Sequence, residues 1–286
     1  MTRKGTLYVV ATPLGNLGDI SARAIDVLRQ VNVIAAEDTR HSGRLMQHLN
    51  VATPMQALHE HNERERSKAL VERLARGENI ALISDAGTPL ISDPGFVLVR
   101  EVREQGFPIV PVPGACALIA ALSAAGLPTD RFLFEGFLPA KANARLERLK
   151  LLAEESRTQV FYEAPHRVLE TLAAMAEAFG PERQAVVARE LTKNFETIHG
   201  DSLAGLMAWM EADPNQQRGE FVLLVAGAVA QPRPEQITLS VDHLLRVLSE
   251  ELPLKQAAAM AAQLTGLKKN ELYKRALELR DAPDTE

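Results

Sequence analysis

NIALISDAGTPLISDPG, residues 79–95, is the stretch whose reading decides the fold. It opens on Ile80-Ala81-Leu82-Ile83, an apolar run of the length and composition of a buried parallel strand. Ser84 to Pro89 follows, built of residues that let backbone approach a ligand closely. Ser92-Asp93-Pro94-Gly95 is a second turn. Asp93 as N-cap and Pro94 as first helical residue predict a helix from Phe96 to Gln105. Strand, small-residue loop and helix N-terminus together make the ligand edge of a doubly wound sheet. A plain connection needs no such long run of small residues.

The chain has 286 residues, 46% of them hydrophobic and 24% charged, which is ordinary for a globular protein with room for two cores. Its net charge of -5 gives no general attraction to nucleic acid or anionic lipid, so such a partner must meet a local basic patch. Cys116 is the one cysteine, which excludes an intrachain disulfide and fits a reducing compartment. The first residues enter a short strand and a proline turn, not a signal-peptide core, and apolar runs stay below the ~18 residues of a membrane span. The expectation is a soluble, cytoplasmic protein without a membrane partner.

The first strand is Leu7 to Ala11, followed by the turn TPLGNLGDIS, with Asp19 or Ser21 capping a helix to about Gln30. Val31 to Ala36 reads as a second buried strand ending in Glu37-Asp38-Thr39-Arg40-His41, a polar cluster that is either solvated or part of a site; a helix follows from about Ser42. His59-Glu60-His61-Asn62 lacks a third ligand at metal-binding spacing and reads as a polar loop. Asn62 with Glu65 forms a capping box for a helix ending at Gly77. Beyond the central stretch come a strand from Pro108 to Val112, the turn Pro113 to Ala117, and a small-residue helix from Ala115 to Ala125. Cys116 there is pocket wall or core. Gly126 to Asp130 marks a domain boundary, giving domains at 1–126 and 127–230 and a helical module at 236–286.

In the second half, strands are expected at 131–137, 158–163, 184–189 and 221–226. Between the first two lies a basic helix carrying Lys141, Arg145, Arg148 and Lys150; Pro165 opens another helix, which ends at Gly180. Residues 231–235, with two prolines, read as a linker, and the chain is helical from about Val241.

ATPLGNLGDIS, AAEDTRH, SDAGTPLISDPG, PVPGACA, SAAGLPTDRFLFEGFLP, FYEAPHR, ARELTKNFETIHG and RGEFVLLVAG occur in this order. Together they resemble the ribosomal RNA small subunit methyltransferase I family of the tetrapyrrole methylase superfamily, over roughly residues 6–280. The resemblance implies two α/β domains of the tetrapyrrole methylase type with the ligand cleft between them, plus a small C-terminal helix-turn-helix-like module. It further implies S-adenosylmethionine as cofactor, a homodimer, and 2'-O-methylation of a cytidine in the decoding region of 16S rRNA, free or in the small subunit. Where tetrapyrrole enzymes carry a glycine-richer first turn and a Gly-Asp-Pro element, this chain reads TPLGNLGD and SDAGTP.

From the residues themselves, three strand ends feed a small-residue pocket, Pro13, Asp85 to Ile91 and Pro113 to Ala117, and within it stand Pro13; Asp85, Ala86, Gly87, Leu90 and Ile91; and Ala115, Cys116 and Ala117. Tyr162 joins them at the end of the Thr158–Glu163 strand. These are the cofactor-binding candidates. Neither G-x-G-x-x-G after the first strand nor a P-loop lysine is present, which weakens the common phosphate cofactors. Methyl transfer is a direct displacement that depends mainly on alignment, worth ~7–11 kcal/mol, so a catalytic dyad is not required. Candidates to act as base or cationic stabiliser are Asp38, Arg40, Glu163, Arg189, Glu190 and Lys193, with an Arg189–Glu190 structural pair as the alternative. A small-molecule methyltransferase and a non-enzymatic nucleic-acid-binding regulator remain rival readings. Residues 252–280 have the layout of a helix-turn-helix broken at Thr265-Gly266; Lys255, Lys268, Lys269, Lys274, Arg275 and Arg280 face only Glu271 and Glu278, a local charge of +4. A plain three-helix cap is the competing account.

Overall fold

The computed structural model describes residues 4–229 and 240–281, and the proline-containing segment 231–235 lies outside them. The chain forms two units, Met1–Val229 and Ala230–Glu286.

The first unit holds two five-stranded sheets. β1 (Leu7–Val10), β2 (Val33–Ala36), β3 (Met55–Ala57), β4 (Ile80–Ile83) and β5 (Ile109–Val112) make the first, in the order β3-β2-β4-β1-β5. Every pairing in it is parallel. β2 and β4 are buried along their whole length, which is why both read as unbroken apolar runs rather than alternating ones. α1 (Ala22–Gln30) and α2 (Thr39–His48) cover one face, where Leu28 and Met46 pack on Ile34 and Ile83. α3 (Glu63–Ala75) and α4 (Phe96–Glu104) cover the other, where Leu70, Leu74, Leu98 and Val102 pack on Val33 and Leu82.

The second sheet is mixed: β6 (Phe132–Phe137), β7 (Thr158–Glu163), β10 (Phe221–Val225), β8 (Gln184–Arg189) and β9 (Thr197–Ser202), in that spatial order. β6 and β7 run parallel, whereas β10 lies antiparallel between β7 and β8. α6 (Ala142–Leu152), α7 (Val168–Phe179) and α8 (Leu203–Ala212) supply the core on one face. The opposite face is covered by α5 (Ala117–Ala124), whose Leu118, Ala121 and Leu122 pack on Val160, Val186 and Leu224. Helix α5 precedes the 126/127 boundary in sequence, yet its packing belongs to the second sheet.

Several local expectations are corrected. Asp93 does not cap α4: Gly95 is the N-cap, at φ 126°, and Glu63 from α3 accepts the Gly95 and Val97 N–H groups. Asn62 makes no capping bond; its Oδ1 accepts the His59 N–H and closes the preceding loop. Ser21, not Asp19, caps α1, through a bond from the Ala24 N–H. Helix α2 starts at Thr39, three residues early, because Asp38 accepts the Arg40 and His41 N–H groups. The basic helix α6 is less of a surface feature than its charges suggest: Arg145 is 3% exposed and paired with Glu170, and Arg148 grips Glu135. β3, β9 and α8 are additional elements.

In the second unit, α9 (Val241–Glu251), α10 (Leu254–Thr265) and α11 (Lys269–Asp281) pack through Leu245, Ala258, Ala261, Leu272 and Ala276. Gly266 closes α10 in the left-handed conformation that a turn of this kind requires, at φ 72°. The expected helix-turn-helix is therefore α10–α11, with α9 as a third helix. Arg275 joins it to α9 by a two-pronged bond to Asp242. Among the described residues no helix is long and apolar enough to cross a membrane.

Candidate functional site

The loop after β4 is fixed to the loop after β1. Thr12 and Gly87 exchange both backbone hydrogen bonds, at 2.8 and 3.1 Å, and the Thr12 hydroxyl donates to the Ser84 carbonyl. Gly87 sits at φ 88°, and a Cβ there would lie 3.1 Å from Leu14 Cδ2. Thr88 Oγ1 in turn donates to the Ala115 carbonyl in the loop after β5. Three strand ends of the parallel sheet are thereby stitched into one wall.

Backbone strain concentrates in the loops on both sides of the cleft. Leu90 (φ 74°) and Ser92 (φ 64°) lie in the first, and Glu190 (φ 51°) and Thr192 (φ 68°) in the loop after β8. Left-handed backbone at non-glycine residues costs of order 1–3 kcal/mol each and clusters at functional sites. The bulge in β6 lets Gly136, at φ 66°, approach Ser92, whose Oγ a Cβ at Gly136 would meet at 3.2 Å. On the other side, Gly15 admits Lys193: a Cβ at Gly15 would collide with the Lys193 side chain at its Cγ.

Two adjoining cavities occupy the cleft. One, of about 320 Å³, is lined from the first sheet's loops by Leu14, Ala86, Gly87, Ile91 and Asp93, and from the second sheet by Phe137, Tyr162, Leu191 and Val222. Cys116 and Ala117 line it as well, so Cys116 is pocket wall. The second, of about 520 Å³, is lined by Pro13, Gly15, His41, Arg44, Asp85 and Lys193, and shares Leu14, Ala86 and Glu220 with the first. Leu90 and Ala115 line neither; they hold the wall in shape.

The first cavity is apolar with a few convergent polar groups, as small-molecule sites are, and falls in their usual range of about 300–1,000 Å³. Tyr162 Oη accepts the Leu118 N–H at the start of α5, at 3.0 Å, and its ring packs edge-on against Phe134 and Phe137. Burial, with Cys116 beside it, holds the Tyr162 hydroxyl well above its ordinary pKa, so it stays protonated. Asp93 is pushed up to about 6, first by burial and then by the nearby Glu37 and Asp85 carboxylates, against a hydrogen bond from Ser84 that lowers it. Glu37 is raised in the same way, by burial and by Asp85. Asp93 on the cavity wall, with Glu37 and Asp85 near it, makes this side of the cleft electronegative.

The catalytic candidates fall into separate groups. Lys193 Nζ bridges Glu190 Oε1 at 2.9 Å and Glu220 Oε2 at 3.0 Å on the rim of the second cavity. Burial alone would raise Glu190, but Lys193 and the Glu220 N–H outweigh it and keep the carboxylate ionised. Arg189 does not pair with Glu190; it donates to the carbonyls of Arg218 and Phe195 and to Thr197 Oγ1, bracing β8 against the loops beside it. Glu163 is buried and accepts from Arg167, Thr171 and the Ala164 N–H. Asp38 is a helix cap, its N–H bonded to Asp85 Oδ1, and Arg40 is 92% exposed. Asp93, Phe137, Leu191, Arg44 and the 220–222 segment escaped the sequence reading. Asp93 was hidden by its Asp-Pro-Gly context; Phe137, Phe221 and Val222 sit on the second sheet, Leu191 and Glu220 in its loops and Arg44 on a helix, none with a small-residue signature.

The architecture agrees with comparisons to known proteins. Residues 6–206 match the family model for Tetrapyrrole (Corrin/Porphyrin) Methylases, and residues 235–280 match the RsmI C-terminal HTH domain. A protein of Pseudomonas aeruginosa named ribosomal RNA small subunit methyltransferase I is 62% identical, covering 96% of this chain and 97% of its own. The protein of that name from Escherichia coli O157:H7 is 53% identical over 96% of each. Among solved structures, cobalt precorrin-4 methyltransferase superposes with a TM-score of 0.59 at 18% identity, over 77% of this chain and 94% of that one. Diphthine synthase gives 0.58 at 16%, over 78% and 90%, so these two share the fold. Identity above one half along nearly the whole length, with both the α/β region and the helical module matched, places the chain in the ribosomal RNA small subunit methyltransferase I family.

Proposed function

We propose that the chain methylates small-subunit ribosomal RNA, using S-adenosylmethionine, at the 2'-oxygen of a cytidine ribose in the decoding region. The observation that carries this reading is that the relatives so named align through both the cleft-bearing unit and the helical module. The lobes 1–126 and 127–230 enclose the reaction, and the module 236–286 meets RNA phosphates. The working form is a cytoplasmic homodimer.

When bound, the cofactor would supply an electrophilic methyl carbon on a sulfonium. Ala86, Gly87, Ile91, Cys116, Ala117 and Tyr162 would hold it, since small side chains leave backbone free and the Tyr162 ring closes one side. Asp93 on the cavity wall, with the Glu37 and Asp85 carboxylates near it, favours a cation over a neutral product. His41, Arg44 and Lys193 line the adjoining cavity and would orient the acceptor ribose and its phosphate. The test is transfer of a labelled methyl group to purified small subunits, to bare rRNA and to no RNA, followed by nucleoside analysis. Label in 2'-O-methylcytidine supports the reading; label on a base, or transfer without RNA, overturns it.

A further inference from the structure

Resting on the reading just given, we infer that Phe195 is a stacking platform for an unpaired base of the substrate RNA, beside the nucleotide that is methylated. It is an exposed ring on a braced loop, next to an apolar row that starts in the first cavity. Strand register sets that row. Tyr162 pairs with Val222, Val222 with Ala188, and Ala188 with Ile198, so all of them share one face of the second sheet. Tyr162 and Val222 line the first cavity, whereas Ile198 lies on the edge strand β9 and is 38% exposed. At ~4.8 Å per strand, the row runs roughly 14 Å from the cavity to the rim. Phe195, in the loop that leads into β9 at that rim, is 74% exposed.

A single exposed phenylalanine is ordinary on a protein surface. This one is held as a contact residue would be. The Lys193 N–H donates to the Glu190 carbonyl at 3.0 Å, and the Glu196 N–H to the Lys193 carbonyl at 3.1 Å. Glu196 Oε2 accepts the Thr192 N–H at 2.6 Å, and the Phe195 carbonyl accepts from Arg189 and from the Thr197 hydroxyl. A ring on so ordered a loop loses little conformational freedom when a partner covers it. Leu191 and Lys193 of the same loop line the first and second cavities, so a partner that reaches those cavities passes beside Phe195. Charge decides the kind of contact. Glu190, Glu196 and Glu220 outnumber Lys193 here, which disfavours a phosphate. The face of a base carries no such charge, and unpaired bases are held by stacking on aromatic rings.

The experiment titrates purified small subunits into the full-length chain at several salt concentrations. Wild type is compared with Phe195→Ala, Phe195→Leu and Phe195→Trp, the last two retaining a bulky side chain should alanine loosen the loop. Single-turnover transfer, cofactor affinity by calorimetry, thermal melts and solution mass are followed alongside. Phe195→Ala should weaken subunit binding roughly 5–150-fold, and Phe195→Leu should weaken it too, although its side chain is still apolar. The loss should be equal at every salt concentration, because stacking releases no counterions. Phe195→Trp should bind like wild type, and its emission, read against that of the native Trp209, should be quenched by the subunit. Cofactor affinity, melting temperature and mass should not change. Wild-type binding by Phe195→Leu, a changed salt slope, or a loss that follows cofactor affinity overturns the assignment. A change of mass also overturns it, by making Phe195 a contact between copies of the chain. A wild type that binds subunits yet transfers no methyl group to ribose overturns the ribose-methylation reading alone.

Discussion

The carboxylate of Glu63, at the start of α3, accepts the N–H of Gly95 at 2.9 Å and so caps a helix 32 residues away. The same Oε1 takes the Val97 N–H at 2.8 Å. A buried carboxylate at a helix N-terminus satisfies orphan donors and complements the helix dipole. Glu63→Ala should therefore cost about 1–3 kcal/mol in urea unfolding, with Glu63→Gln milder because its carbonyl still accepts one bond. Equal stability of Glu63→Ala and wild type would mean that the Gly95 turn holds itself.

Asp93 makes stability depend on pH. Its pKa is about 6 folded against an ordinary 3.8, so the unfolded chain ionises first. Both states are protonated below 3.8; stability then falls as pH rises toward 6 and stays at its lower level above that. Asp93→Asn should raise the urea midpoint at pH 7.5 and leave it unchanged near pH 4. A rise of equal size at both pH values would assign the effect to packing.

Gly87 combines a positive φ with a tight approach to Leu14, so Gly87→Leu both strains the backbone and fills the cavity. Calorimetry should show S-adenosylmethionine affinity reduced at least about tenfold in a protein that still folds. Unchanged affinity would move the cofactor out of this cavity.

Asp38 and Lys193 should separate. Asp38→Ala removes an N-cap and is expected to lower the urea midpoint slightly, with the transfer rate unchanged. Lys193→Ala removes the cation between Glu190 and Glu220 and should lower the transfer rate with cofactor binding intact. Wild-type turnover by Lys193→Ala would leave that residue a purely structural bridge.

Deleting residues 230–286 should leave a folded, cofactor-binding unit. Its RNA affinity should fall, and the salt slope should shrink by about 0.7–0.9 for each phosphate that the shortened chain no longer neutralises. Identical RNA binding at every salt concentration would remove the helical module from the interface.

The parallel sheet was legible because Val33–Ala36 and Ile80–Ile83 are buried on both faces and carry the signal without help from context. Met55–Ala57 and Thr197–Ser202 were not: each is an edge strand, partly exposed, and the second is polar in composition. Asp-Pro-Gly at 93–95 imitates a local cap, and only the fold brings Glu63 there in its place. Arg145 has the look of surface charge in sequence, and only the packing of α6 on α7 sets Glu170 beside it. At the site, loops of small residues announced the first sheet's wall, while Phe137, Leu191 and Val222 look in sequence like any core residue.

The position of β10 sets the order in which the chain can be completed as it leaves the ribosome. Every strand of the parallel sheet has emerged by Val112, so that sheet can close while most of the second is still unmade. The mixed sheet lacks its middle until Phe221–Val225 is inserted between β7 and β8, and β8 with β9 must wait as a detached hairpin. Those last strand residues also bring Glu220 to Lys193 and Val222 to the cavity wall. The nascent protein therefore acquires its binding cleft in one late, long-range step, after nearly four-fifths of the chain has been synthesised.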